Sequence, residues 1–535
     1  MASKLRAVFL AIRSAVRISG HFHPVVSTHT STPWRPVDAG PDAPTTSTVP
    51  PMPFELLGAI FKHGTTLSHT HRGRVPACAS ITHVCRLWRH VAIGSPLLWS
   101  NITSNVSKEW AATMVKWSAS VPLRMDLRIG APRLSSDDAA SLLSEAHRIH
   151  DLRLSGRVSE LKPLVEGLGP MENLRALKLF PRSEDDVSTL ALPDAVFHGN
   201  APRLKMLHIP LDTATKAPQW MFSNVSQFST TLSDDPAPNL ILNVLGQMPG
   251  LEELTLRSCV SPEHWADLLT GGPFRLTLTE LRVLEIQEDV GYLGLSAFLL
   301  ERLDLPFSTR IRMSMATTDL PSNATAWIPL MAHLDVIDSA LVRFGGFECV
   351  HIIGGPRAGV VHAWTPSTSS TIASSSPASG LPPEDAKLAF RFQWLPCFID
   401  RIGKRFRSTA FLRLPDFCQR LPFDHVRSLS FGEDRHHDPV PAGCWERLLS
   451  SFPAVEELSI SGDTPILRTP PTFKTSDGAA QSALQKLSLL SLHAVKRQTQ
   501  IGRKQRPCHG VLAGANEWTL RWPGRPTRPH GLRGR

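Results

Sequence analysis

Five histidines, His63, His69, His71, His83 and His90, fall in one stretch together with Cys78 and Cys85. Imidazole and thiolate are the usual zinc ligands, so a metal centre is the first chemistry to test. The spacing matches no zinc pattern, and Cys85 already belongs to an apolar helical face, so no metal is expected. The run Gly354-Gly355-Pro356-Arg357-Ala358-Gly359 has the glycine content of a phosphate loop. It lacks the following Lys-Ser/Thr and reads as a plain turn. No GxSxG, HExxH or paired-carboxylate arrangement stands in a context that supports chemistry. The expectation is a chain with no catalytic residue and no cofactor.

What remains is binding, and composition narrows the kind. The chain has 535 residues, 42% of them hydrophobic and 19% charged, with a net charge of +10. That length suggests two to four units. The positive charge sits at the ends. Residues 496–535 carry ten Lys/Arg against Glu517, and residues 1–50 carry five against Asp38 and Asp42, leaving the middle slightly acidic. The folded part is therefore not a nucleic-acid binder by charge. The basic tail could still bind nucleic acid or an anionic surface, and solvated disorder is the competing reading of its composition. Eight scattered cysteines without a CxxC pair read as reduced thiols. The N-terminal apolar run Val8–Ile12 is too short for a signal peptide despite four sequons, at Asn101, Asn105, Asn224 and Asn323. No stretch reaches eighteen apolar residues, so no membrane span is expected. These points place the chain in the cytoplasm, the nucleus or both. The basic, acid-free first twenty residues also have the composition of a transit peptide, or of a disordered leader.

The elements that must present a binding surface begin at Met52. Pro53 suits a first helical turn, and Leu56, Leu57, Ile60 and Phe61 recur at helical spacing. After a polar loop over 62–77, Ile81, Val84, Cys85 and Trp88 stand at i, i+3, i+4 and i+7, predicting a second helix with Arg86 and Arg89 off its apolar face. Ser95-Pro96 ends it, and Leu97, Leu98 and Trp99 form a compact apolar turn. A further helix carries Trp110, Met114 and Trp117, and the alternation of Leu123, Met125, Leu127 and Ile129 predicts a half-buried strand.

Beyond this the spacing LxxLxL recurs. It appears at Ile149/Leu152/Leu154, Leu174/Leu177/Leu179, Leu204/Leu207/Ile209, Leu251/Leu254/Leu256 and Leu281/Leu284/Ile286. It returns at Val426/Leu429/Phe431, Val455/Leu458/Ile460 and Leu484/Leu487/Leu489. The steps are 25, 30, 47 and 30 residues, then 29 and 29. One such unit cannot bury its own apolar face, so a train of them implies stacking. Three residues past the last apolar position stand Cys259, Asp212, Asp289, Asp434 and Asp463, where repeats of this kind usually place Asn or Cys, so the stack should be irregular. Residues 287–425 show no clear repeat, Leu300/Leu303/Leu305 running straight out of a helical pattern. Residues 365–383 are Ser/Pro-rich and of low complexity.

The residues Met52-Pro53-Phe54-Glu55-Leu56-Leu57-x-x-Ile60-Phe61, then Val84-Cys85-Arg86-Leu87-Trp88-Arg89, then Pro96-Leu97-Leu98-Trp99 resemble the F-box, whose pattern is close to LPxELLxxIF…VCRxWR…PxLW. With the repeats behind it, the order resembles the large fungal class of F-box proteins. The likeness covers about a tenth of the chain. It departs at Met52, where Leu is usual, and in a loop over Lys62–Ala79 that is longer than usual. The resemblance implies a three-helix module that docks on the Skp-type adaptor of an SCF ubiquitin ligase, and through it on cullin and RING subunits. The C-terminal repeats would capture a protein substrate. Carried over by position, Pro53, Leu56, Leu57, Ile60 and Phe61 form the first half of the docking face. Val84, Cys85 and Trp88 pack the helices and complete it with Leu97 and Trp99.

The expected fold is α+β: a three-helix F-box at 51–100, then an irregular right-handed α/β leucine-rich-repeat solenoid over 101–364 and 386–494. The 365–385 loop interrupts the solenoid, and the termini, 1–50 and 495–535, are expected to be disordered. Two other functions stand beside the adaptor: a repeat scaffold whose helices only cap the solenoid, and a nucleic-acid binder acting through the basic tail.

Overall fold

A computed structural model describes residues 53–67, 77–130, 134–182, 189–232, 238–258, 275–288, 294–317, 335–344, 346–354, 358–365, 386–394, 418–433, 447–461, 489–493 and 517–521. The expectations for the leader, for 366–385, for His69 and His71, and for Leu484 and Leu487 lie outside these residues. The described residues fall into two compact units. One runs up to Ile209 and includes Lys216–Asn224; the other is Pro210–Thr215 with the residues from Val225 onward.

The first unit opens with helices α1 (Phe54–Leu67), α2 (Ala77–Ile81) and α3 (Arg86–Ile93) and a 3-10 turn at Pro96–Leu98. Strands β1 (Asn101–Thr103), β2 (Leu123–Arg128), β3 (Ile149–Arg157), β4 (Ala176–Arg182) and β5 (Met206–His208) follow. Helices α4 (Lys108–Trp117), α5 (Ser136–Leu143) and α6 (Val158–Glu166) separate the first four strands. The strands pair in sequence order, all parallel. Register explains the repeat: Met125, Leu152, Leu177 and Leu207 lie side by side, as do Leu127, Leu154 and Leu179, and all are buried. The first residue of each triplet is buried where the chain enters the strand: Ile149 as the first residue of β3, Leu174 and Leu204 two residues before β4 and β5. Leu161, Leu164 and Val165 of α6 cover the ladder from the helical side. Ser107 and Ser135 cap α4 and α5, each hydroxyl accepting a bond from a backbone N–H three residues on.

Successive turns are tied just before the strand rather than after it. Arg148 donates to the Ser118 hydroxyl at 2.7 Å and to the Val121 carbonyl at 3.1 Å. Asn173 donates to the His147 carbonyl at 2.8 Å, and Arg203 donates to Asn173 at 3.0 Å. Of the residues expected three places past the strand, Asp212 falls in a helix, and Cys259, Asp289, Asp434 and Asp463 are outside the described residues.

The second unit contains α7 (Leu211–Ala214), β6 (Gln227–Leu232), α8 (Pro238–Leu245), β7 (Glu253–Ser258), β8 (Leu276–Thr277), β9 (Val283–Glu288), α9 (Gly294–Arg302), β10 (Leu303–Asp304) and β11 (Arg310–Thr317). It continues with β12 (Cys349–Gly354), β13 (Ala358–Trp364), β14 (Leu388–Trp394), β15 (Ser428–Glu433), β16 (Glu457–Ser461), β17 (Leu489–His493) and β18 (Glu517–Arg521). Its large sheet has the order β6-β7-β9-β11-β14-β13-β12-β15-β16-β17-β18, and β8 pairs with β10 in a small second sheet. Pairing is parallel except at β14–β13, β13–β12 and β17–β18.

Three expectations are corrected here. The 47-residue step conceals a unit: Val225, Phe228 and Thr230 occupy the triplet positions, all buried, with β6 beside β7. A threonine at the last position hid it. Residues 287–425, where no clear repeat was expected, carry strands of the same sheet. Phe347/Val350/Ile352 is a buried triplet on β12, and Ile311 and Leu388 extend the ladder of Leu254 and Leu284 across β11 and β14. What breaks the period is the antiparallel β12–β13 pair, in which Gly354 lies opposite Gly359; residues 355–357 lie outside the described residues. Finally, the tail is not wholly structureless. Trp518 and Leu520 alternate with polar neighbours, and β18 pairs against the hydrogen-bonding edge of β17. The expectation for Leu300/Leu303/Leu305 holds, since α9 passes directly into β10. Among the described residues no helix is long and apolar enough to cross a membrane.

Candidate docking surface

Helix α1 buries one side. Leu57 and Phe61, a turn apart, are closed off from solvent, and Ile60 is half-buried. The Phe61 ring meets Trp88 of α3 at 5.0 Å between centroids, tilted by 56°. The 81–88 segment is not one helix. Thr82 turns its hydroxyl back to the Ala79 carbonyl at 2.7 Å, and His83 and Val84 donate to carbonyls only three residues back, so α2 tightens and stops. Cys85 is extended, and its sulfur accepts a bond from the Trp88 N–H at 3.4 Å, capping α3. Arg89 Nε reaches back to the Thr82 carbonyl at 2.9 Å and ties α3 to the end of α2.

The 3-10 turn closes the module. Ser95 bonds the Val91 carbonyl at 2.7 Å, and the buried Trp99 donates its indole N–H to the Ala92 carbonyl at 2.8 Å. Trp99 also meets Trp117 of α4 edge-on at 4.6 Å.

The ten residues expected on one docking face therefore divide. Leu57, Phe61 and Trp99 are core and cannot touch a partner; Ile60 and Trp88 are half-buried. Pro53, Leu56, Val84, Cys85 and Leu97 are exposed, and the packing role given to Val84 and Cys85 is corrected, because both fall in the break between α2 and α3. Three exposed apolar residues escaped the sequence reading: Phe54, Leu87 and Ile93. They stand off the stripe that faces the core, and an apolar residue off that stripe was the available signal. Among the described residues nine large apolar side chains are exposed. Six of them lie here: Phe54, Leu56, Val84, Leu87, Ile93 and Leu97.

The histidine–cysteine group is dispersed: His63, His83 and His90 are exposed. Cys78 is buried, and burial pushes its thiol up to about 12. No group of three or more His, Cys, Asp or Glu able to hold a metal occurs among the described residues.

The other notable titratable cluster lies in the second unit. His351 and His362 face each other across β12–β13, their rings near-parallel at 6.3 Å and both buried. His351 Nδ1 lies 2.5 Å from the Ser430 hydroxyl. Among the described residues no carboxylate orients this Ser–His contact, as one would in a hydrolytic triad. Burial pushes both imidazoles down to about 4, His351 and Arg312 adding to the effect on His362, so neither is a strong base. Sequence could not have paired His351 with Ser430, 79 residues away. Glu288 is also buried. It accepts bonds from Ser296 N at 3.0 Å and from the Ser296 hydroxyl at the start of α9, and burial pushes its carboxyl up to about 7.

The chain matches no protein-family model and no curated protein.

Proposed function

We propose that the chain is a substrate-recruiting F-box adaptor of an SCF-type ubiquitin ligase. Residues 53–99 dock on a Skp-type adaptor, and through it on cullin and RING subunits, while a leucine-rich-repeat solenoid binds a protein substrate. One observation carries the reading: among the described residues, six of nine exposed large apolar side chains fall within residues 54–97, on α1, α3 and the turns beside α3, around a core in which Phe61 meets Trp88. Concentrated exposed apolar surface marks an interaction site. Supporting it are the F-box sub-motifs at these positions and, in both units, parallel strands whose LxxLxL leucines lie in register.

The test is co-purification of the full chain with a recombinant Skp-type adaptor. Leu56→Asp with Leu97→Asp, both at exposed positions, should abolish recovery while the protein stays folded. A change at Leu57 is the wrong probe, since it is buried and its loss would collapse the module. No adaptor with wild type, or equal recovery with the double variant, would overturn the reading.

A second reading has an observation in its favour. Trp99 joins the module to α4 through its edge contact with Trp117, as a cap on a repeat stack would. In that case a chain lacking 53–99 should be insoluble, whereas a pure docking module is removable.

A further inference from the structure

The six exposed apolar residues are already partly covered. About half of their surface is still open, so docking would gain only about half of what burying six such side chains outright contributes. That corresponds at best to a micromolar complex before the cost of association is met. Apolar burial alone leaves docking marginal, and the module carries a second, unbalanced feature.

Residues 53–100 contain a single acid, Glu55, against Lys62, Arg72, Arg74, Arg86 and Arg89. Lys62, Arg86 and Arg89 are exposed on α1 and α3. Arg86, Arg89 and Ile93, at i, i+3 and i+7, line one exposed stripe of α3, so cations and apolar side chains share a surface. Like charges at i and i+3 weakly oppose helix formation, and α3 holds no carboxylate to offset them.

We infer that the partner's apolar groove is rimmed by carboxylates, and that Arg86 and Lys62 set the strength and salt sensitivity of docking. The inference rests on the adaptor reading above and deepens it. An anionic membrane would also suit apolar and basic residues together. However, a membrane-surface helix turns its whole apolar stripe outward, whereas Leu57 and Phe61 of α1 point into the core. A protein groove is the better fit.

The experiment measures the affinity of the full chain for recombinant Skp-type adaptor at about 50 and about 300 mM NaCl, concentrations that span strong and weak screening. Wild-type affinity should fall about tenfold between them, a change of 1.4 kcal/mol. Arg86→Glu with Lys62→Glu should weaken binding by about tenfold or more at low salt and flatten the salt response. Lys162→Glu, an exposed reversal on α6, should change neither. Arg89 is left intact because it ties α3 to α2.

If wild type binds equally at both salts and the double reversal binds as well as wild type, the inference falls and the adaptor reading stands. If no adaptor binds at either salt, both fall. Tighter capture by phosphatidylserine vesicles than by the adaptor, lost in the same double variant, also overturns the inference.

Discussion

The helical module and the strand ladders are built from the same residue types, with opposite outcomes. In the ladders each leucine lies beside another on the neighbouring strand, and Leu152, Leu154, Leu254 and Leu284 are all closed to solvent. In the module, Leu56, Leu87 and Leu97 stay exposed although they sit among equally apolar neighbours. A repeating strand always has a next copy to cover its face, whereas three short helices form one small core and leave the surplus outside. The acidic and basic side chains follow the same division. Those described in the module, Glu55, Lys62, His63, His83, Arg86, Arg89 and His90, are at the surface, while His351, His362 and Glu288 in the second unit are shut in.

Acid should break the comparison most strongly. His351 and His362 have folded pKa values of about 4, below the unfolded 6.5, so the folded state binds fewer protons. Their contribution is complete above pH 6.5 and is lost as pH falls toward 4, on the order of 3 kcal/mol for each imidazole as an upper bound. Hydrogen exchange should show β12 and β13 losing protection in that window before α1–α3 do. His362→Gln should reduce the loss. Equal protection at pH 6.5 and pH 4.5 would show that the pair is not sealed.

Next in size is Leu152→Ala, which opens a cavity in the ladder and should cost roughly 2–5 kcal/mol in chemical denaturation. Glu288 runs the other way from the histidines. Its folded pKa of about 7 lies above the unfolded 4.5, so its stabilising share is present below pH 4.5 and is lost as pH rises through 7. Glu288→Gln should therefore raise the melting temperature at pH 8, by a free energy of at most about 3 kcal/mol, and leave it unchanged at pH 4.5. The smallest effect is expected of Leu97→Ser. At 57% exposed, Leu97 should alter stability by less than about 0.5 kcal/mol while weakening adaptor recovery. A large loss of stability on that change would erase the distinction between the two regions.

Much of this was legible in residue spacing. Triplets such as Ile149/Leu152/Leu154, Leu174/Leu177/Leu179 and Leu281/Leu284/Ile286 mark strand entry and inward positions, whereas Leu300/Leu303/Leu305 begins inside α9. Thr230 hid one unit because period-based reading counts only apolar side chains, although the position was buried all the same. In the helical module, spacing located the core stripe of α1 and failed over 81–88. There the same i, i+3, i+4 pattern was interrupted by the Thr82 back-bond and the Cys85 cap, local hydrogen bonds that hydrophobic periodicity does not register.

By itself, the sequence determined where most of the LxxLxL strands recur, which leucines face inward on them and where the first helix begins, because these depend on local period and capping. Which apolar residues of the module stay outside, and that Ser430 meets His351 from a strand 79 residues away, were decided only by tertiary structure. Exposure is a property of what packs against a side chain, and β15, which lies beside β12, is more than seventy residues further along the chain.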